Sequence, residues 1–292
     1  MLSQLLVNAL IAASIYALVG TGFALIYSTT RFFHFAHGVV FTAGAYFAFL
    51  FNVWLGAPLI PSLIAGVTLA ALLGCLMETA VYRPLRQRTA SPLVLLLVSL
   101  GLYIILQNVI SVVFGDDIKT IRSEIVEEGA SILGARITSI QITTVCLSAL
   151  LIGLSAVFLQ KTRTGRAMRA VASDPELASV SGIAIDRVIL WTFALGSSLA
   201  GAAGVLLALD VNMTPTMGMN ALMMGIIAVI VGGVNSIPGV ILGALLLGLA
   251  QHLGVWRIGS QWQDAIAFVI LLAFLLFRPH GFLGKRVKKA TV

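Results

Sequence analysis

Runs of about 20 apolar residues recur along the whole chain, each long enough for an α-helix to cross a hydrocarbon core about 30 Å thick. Inside lipid no water satisfies backbone N–H and C=O groups, so a spanning chain is restricted to helices or a closed barrel. Barrels need short segments of alternating polarity, whereas Leu93–Phe114 and Ile266–Phe277 are apolar without interruption. The expected fold class is therefore all-α, a polytopic transmembrane bundle of about 8–9 spans. Composition closes off the soluble alternative. Only 10% of the 292 residues are charged and 59% are hydrophobic, with a mean hydropathy of +1.05, against a charged fraction near a quarter in soluble domains.

The runs place spans near Leu5–Tyr27, Val39–Leu55, Leu59–Val81, Leu93–Phe114, Ile142–Gln160, Val188–Leu209, Ala221–Val234, Ile237–Leu253 and Gln263–Phe277. Met1-Leu2-Ser3-Gln4 lacks the positive region of a secretory signal, and the run behind it is too long for a signal core, so it is expected to be a permanent first helix. Ala221–Val234 is short and ends in Gly232-Gly233, which suits a broken or re-entrant helix as well as a full span. No long soluble region interrupts the series, so residues 1–292 are expected to form one membrane domain, with a polar loop at 115–141 and another at 161–187. Glycine occurs 28 times, and Gly196, Ala200 and Gly204, like Gly239 and Gly243, recur at four-residue spacing. Such stripes let helix backbones approach closely where lipid offers no hydrophobic drive.

Charge placement sets the expected orientation. If Arg31, the Arg83/Arg86/Arg88 loop, the Lys161–Arg187 loop and the tail from Arg278 share one side, that side holds 14 of the 18 Lys and Arg. The other side keeps Lys119, Arg122, Arg136 and Arg257 beside Asp116, Asp117, Glu124, Glu127 and Glu128. The positive-inside rule then puts the 161–187 loop and the C-terminus in the cytoplasm, and the 115–141 loop and the N-terminus outside. The net charge of +7 is accounted for by this asymmetry. The basic clusters lack interleaved aromatics, so no nucleic-acid partner is expected.

The 161–187 loop is too patterned for a connector. Asp174-Pro175-Glu176 reads as an N-cap, a proline at the first helical position and an acid in the first turn, and Gly182 stands where a helix C-terminal glycine belongs. A short helix over Pro175–Ser181 follows, preceded by a second over Thr164–Ala172 that carries Arg166 and Arg169. The pair would expose Leu177 and Val180 as a docking knob for a soluble partner.

At this point the sequence resembles a known family. Glu176-x-Ala178-x-x-x-Gly182 is similar to the coupling loop of ATP-binding-cassette importers, although leucine replaces the middle alanine at 177 and the later Leu-Pro is missing. The wider run from Thr162 through Arg163, Gly165, Arg166 and Arg169, then Asp174-Pro175-Glu176 and Gly182-Ile-x-x-Asp186-Arg187, resembles the branched-chain amino acid permeases, specifically the LivH-like subunit. Further landmarks agree in order: Ser14-Ile-Tyr-Ala-Leu, Gly22-x-x-Leu-Ile-Tyr27, Phe35-Ala-His-Gly38, Tyr82-Arg-Pro-Leu-Arg86, Gly232-Gly-Val-Asn-Ser-Ile-Pro-Gly239 and Phe277-Arg-Pro-His-Gly-Phe282. His34 stands where the family usually has asparagine. The resemblance implies a non-catalytic, multi-pass permease subunit of a bacterial inner membrane that moves branched-chain amino acids inward. Its implied partners are a second related permease, two ATPase subunits, a periplasmic solute-binding protein and the lipid bilayer. It assigns ATPase coupling to Arg163, Gly165, Arg166, Asp174, Pro175, Glu176, Ala178 and Gly182. Relatives with the same landmarks carry urea, short amides or other small acids, so the substrate stays open among these.

Irregular backbone survives at membrane depth only where protein or a water-filled cavity satisfies it, and Phe35-Ala36-His37-Gly38 and Gly232–Gly239 are the candidate breaks. Polar groups in spans face the bundle interior, which makes Asn8, Tyr16, Gln107 and Asn108, with His34, His37, Gly38, Gly232 and Gly233, the candidate pathway residues. A helix-to-helix hydrogen bond is the alternative role for each. His34 and His37 share a helix face at three-residue spacing, but no Cys, Asp or Glu lies nearby to complete a metal site. Cys75 and Cys146 lie inside apolar runs, and neither a disulfide, a metal nor a cofactor is expected. Glu78 is expected to pair with Arg83. No Gly-x-x-x-x-Gly-Lys-[Ser/Thr] loop, His-Glu-x-x-His or Gly-x-Ser-x-Gly occurs, so energy is expected from a partner chain. A gradient-driven secondary transporter is the rival class; it should carry intramembrane acids, whereas the acids here sit in loops or near span ends.

Overall fold

The computed structural model of the chain describes residues 2–121, 129–132 and 134–284. Arg122, Glu124, Glu127, Glu128 and the basic residues beyond Gly284, named above, lie outside the described residues. The fold is an all-α bundle built from α1 (Leu2–Thr30), α2 (His37–Phe49), α3 (Leu59–Met77), α4 (Arg83–Gln87), α5 (Pro92–Phe114), α6 (Ser139–Lys161), α7 (Arg163–Ser173), α8 (Pro175–Val180), α9 (Ile185–Asp210), α10 (Met217–Gly232), α11 (Ile237–Ile258) and α12 (Gln263–Phe277). Two strands, β1 (Ala130–Ile132) and β2 (Ala135–Ile137), pair antiparallel in the loop before α6. Short π-helical turns extend α2 at Leu50–Trp54 and join α3 to α4 at Glu78–Tyr82.

Among the described residues eight helical stretches are long and apolar enough to cross a membrane, and α10 is a shorter apolar helix. The third span runs on to Gln87 rather than stopping at Val81. Local chemistry sets several starts. The Ser91 hydroxyl accepts from the Val94 N–H ahead of Pro92, Thr138 and Gln141 form a reciprocal capping box at α6, and Ser236 accepts from the Gly239 N–H at α11. Connections gather at two ends. At one, which we call the hairpin end, Gln4 bonds both backbone groups of Arg136, Lys119 bridges Met213, and Asn220 meets Asp264. At the other, the α8 end, Arg31 reaches the Ala172 carbonyl and the Leu283 N–H donates to the Gly232 carbonyl.

The core sits where α1, α2, α9 and α10 meet. A Cβ added at Gly44 would stand 2.6 Å from the Gly201 Cα, and one at Gly22 would stand 2.6 Å from the Gly196 carbonyl oxygen. The stripe Gly196–Ala200–Gly204 therefore packs against α1 and α2, and Gly239–Gly243 packs against Gly232 and Ala228 of α10. By contrast α3, α5, α6 and α12 turn most of their apolar surface outward.

Candidate functional site

The α6–α9 stretch folds into a compact unit at the α8 end. Thr162 ends α6 and begins α7: its hydroxyl donates to the Phe158 carbonyl at 2.7 Å and accepts from the Gly165 N–H at 2.9 Å. Gly165 lies so close to the Phe158 and Leu159 backbone that any side chain would collide with it. Along α7, Gly165, Met168 and Val171 are buried while Arg163, Arg166 and Arg169 face out. An amphipathic helix lying flat on the bundle results. Asp174 caps α8 by accepting from the Glu176 and Leu177 N–H groups, both at 3.0 Å. At the far end Gly182 adopts φ +81, and the Gly182 and Ile183 N–H groups bond back to Ser179 and Ala178, a Schellman closure that requires a left-handed residue. Ala178 is buried, whereas Leu177 and Val180 are 64% and 87% exposed. Two polar ties hold the unit to the bundle. The Arg31 side chain, on a residue with φ +60, donates to the Ala172 carbonyl. Asp186, in the first turn of α9, meets Arg83 at 3.0 Å and Arg86 at 3.2 Å.

The ion pair expected between Glu78 and Arg83 forms instead with Arg86, at 2.5 Å. Eight residues over two turns, one of them a π turn, bring Glu78 and Arg86 onto one face, and Arg83 turns outward to Asp186.

Helical structure is interrupted near both candidate breaks, over residues 31–36 and 233–236. After Thr30 the chain doubles back along α1: Phe33 packs on Tyr27 and Phe23, and His37 lies against Gly22. At 1.5 Å per residue that level is about 12 Å back from the end of α1. His34 therefore sits in this turn, and His37 opens α2, rather than both lying on one helix face. The two rings are fully buried with centroids 5.9 Å apart. His34 Nδ1 is 3.1 Å from the Tyr82 hydroxyl and 3.4 Å from the Ser99 hydroxyl, which itself accepts from the Ala36 N–H at 2.9 Å. Gly38 packs on Gly218. Among the described residues no group of three or more His, Cys, Asp or Glu is placed to hold a metal. At the second break Gly233 takes φ +105, and the N–H groups of Phe282 and Leu283 satisfy the Val231 and Gly232 carbonyls. That contact brings the Phe277–Phe282 and Gly232–Gly239 landmarks together in space.

A groove of about 980 Å³ runs between α6 and α11 with α1 as its floor. Ser14, Thr21 and Ser28 of α1 and Ser148, Gly153 and Ala156 of α6 line it. Arg31 and Arg169 close its α8 end beside the Val234–Pro238 turn. A second cavity of about 380 Å³ holds Asn8, Tyr16, Thr144, Asp210, Asn220 and His252. The nine candidate pathway residues are thus not brought to one place. Asn8 and Tyr16 meet in the smaller cavity, and His34, His37 and Gly38 build the buried break. Gly232 and Gly233 adjoin the turn that ends the groove. Gln107 and Asn108 stand apart on α5, where Asn108 is exposed and donates to the Ile104 carbonyl. The groove residues were missed from sequence, although the small and hydroxyl residues of α1 at 14, 17, 21, 24 and 28 already trace one face.

The sequence profile of a family described as branched-chain amino acid transport system / permease component matches residues 5–275. A high-affinity branched-chain amino acid transport system permease protein, BraD of Pseudomonas aeruginosa, is 34% identical over 97% of this chain and 95% of its own. LivH of Escherichia coli K12, named as a permease protein of the same kind of system, is 32% identical over 97% and 95%. The autoinducer 2 import system permease protein LsrC of Yersinia pestis is 33% identical over 45% of this chain and 40% of its own. Among solved structures, PsaBC from Streptococcus pneumoniae in complex with Fab matches over 94% of this chain and 91% of its own, with TM-score 0.50 and 16% identity. At that identity the likeness is one of fold alone.

Proposed function

The chain belongs to the branched-chain amino acid transport permease family, and from that premise we propose that it is the membrane-spanning subunit of an ATP-binding-cassette importer for leucine, isoleucine and valine. The observation that carries the coupling half of this reading is α8. A six-residue helix capped at both ends holds Leu177 and Val180 out in solvent at the tip of the bundle, where it serves as the knob for an ATPase groove. Arg163, Gly165, Arg166, Asp174, Pro175, Glu176, Ala178 and Gly182 divide into two jobs. Gly165, Asp174, Pro175, Ala178 and Gly182 fix the shape of the unit, and Arg163, Arg166 and Glu176 present its charge.

In this reading the α8 end faces the cytoplasm, the hairpin end receives a loaded solute-binding protein, and the C-terminus is cytoplasmic. The partners are a second, related permease and two ATPase subunits. The groove between α1, α6 and α11 forms this chain's wall of the solute path, because it runs along these helices as far as Met168, Arg169 and Ala172 of the coupling unit. Its hydroxyl and small side chains suit an amphiphilic amino acid in transit. ATP hydrolysis belongs to the partner chains.

Purification from the native membrane, with every bound chain identified, tests the proposal. Recovery of ATPase subunits and a related permease is the expected result. A chain that purifies alone and moves solute in vesicles without ATP would replace this reading with a gradient-driven carrier.

A further inference from the structure

We infer that Asp186, Arg83, Arg86 and Glu78 form a transmission joint that makes α9 and the α3–α4 tract follow the α7–α8 unit as one body. The inference rests on the proposed function above and deepens it by naming the residues through which movement of the coupling unit enters the membrane helices.

Position comes first. The α8 helix ends at Val180 and α9 begins at Ile185, so Asp186 is the first carboxylate the chain offers after the unit. Two arginines from elsewhere in the sequence converge on it, Arg83 at 3.0 Å and Arg86 at 3.2 Å. Arg86 also grips Glu78 at 2.5 Å, and the Glu78 side chain is 1% exposed. The four side chains make two cations and two anions, a balanced set.

Charge balance alone does not require Asp186. A buried carboxylate is costly unless paired, and Arg86 already pairs Glu78 within the α3–α4 tract. Asp186 adds a bond to a different helix, at the point where a displaced coupling unit would pull first. Beyond the joint the contacts lead inward. Tyr82, in the same π turn as Glu78, is buried and within 3.1 Å of His34 Nδ1 at the break between α1 and α2. The second tie, from Arg31 to the Ala172 carbonyl, reaches α1 from the other side of that break. A push on α8 therefore meets both ends of the buried turn, and through α1 the floor of the groove. Asp186, Arg83 and Arg86 act as positioning residues; none is assigned contact with solute.

The assembled complex, reconstituted in vesicles with its ATPases and partner permease, tests this by the number of solute molecules imported per ATP hydrolysed. Asp186→Arg sets three cations against one buried acid, and is expected to lower that ratio about tenfold while ATP hydrolysis continues. Adding Arg83→Asp restores an opposite-charge pair across the same gap and should recover the ratio to within about threefold. Where Asp186→Arg does not assemble, Asp186→Asn serves, because Glu78 keeps Arg86 and the fold keeps its buried pair; a fall of about threefold is expected. A wild-type ratio in Asp186→Asn, or no recovery in the exchanged pair, overturns the joint. Wild-type vesicles that import nothing with ATP would instead refute the importer reading, so the two failures are told apart by the control.

Discussion

The α9 and α5 helices have opposite fates although both are long and apolar enough to cross a membrane. The more hydropathic of the two is the less buried: the most apolar window of α5 averages 2.4 and is 22% buried, whereas that of α9 averages 1.8 and is 72% buried. Hydropathy says only that a helix can live in lipid. What draws α9 into the centre is the line Gly196, Gly201 and Gly204, each pressed on a neighbouring helix, while Gly101 of α5 and Gly153 of α6 have nothing within 4 Å of an added Cβ. In lipid, packing between backbones supplies what the hydrophobic effect supplies in water.

The comparison breaks most sharply at Gly204. A side chain there would run into the Phe41 carbonyl, and backbone cannot step aside, so Gly204→Leu should destabilise the bundle by about 3 kcal/mol or more. Thermal unfolding in detergent, or loss of the folded chain from membranes, reads this. Gly74→Ala is expected to cost less, about 1–3 kcal/mol, because its obstruction is the Ser197 side chain, Cβ as well as hydroxyl, rather than backbone. Pairing it with Ser197→Gly should remove most of the loss. At the outer helices the sign reverses: Gly101→Ala meets open space and should raise stability by about 0.5–1 kcal/mol through helix propensity. A large loss there would mean that α5 is covered in the assembled transporter. Gly153→Leu sharpens the contrast differently. It should leave unfolding nearly unchanged yet cut uptake about tenfold, since Gly153 opens onto the groove proposed to carry solute.

Much of this was readable in the residues. The apolar runs fall on the observed helices, and Asp174-Pro175 and Gly182 bound α8 as their capping chemistry requires. The interruptions of helix at 31–36 and 233–236 fall beside the sequence elements marked for them, because glycine, histidine and capping residues act locally along the chain. What escaped depends on contacts far apart in sequence. Arg86 reaches Asp186 across 100 residues and Tyr82 reaches His34 across 48, and no local period encodes either. The π turn at Glu78–Tyr82 stretches two turns over eight residues and so sets Arg86 above Glu78, a register the plain α-helical period does not give. The groove was hidden for a related reason. Its walls come from three helices, and its lining is small and weakly polar, so each residue alone reads as packing.

The central claim is that ATP-driven motion enters through α8. It is tested most directly by leucine uptake into vesicles holding the full complex, with and without enclosed ATP, comparing the wild type with Leu177→Asp. The account predicts uptake that needs ATP, and its loss in Leu177→Asp while the chain stays folded in the membrane. Uptake that proceeds without ATP, collapses with the ion gradient and ignores Leu177→Asp would contradict it.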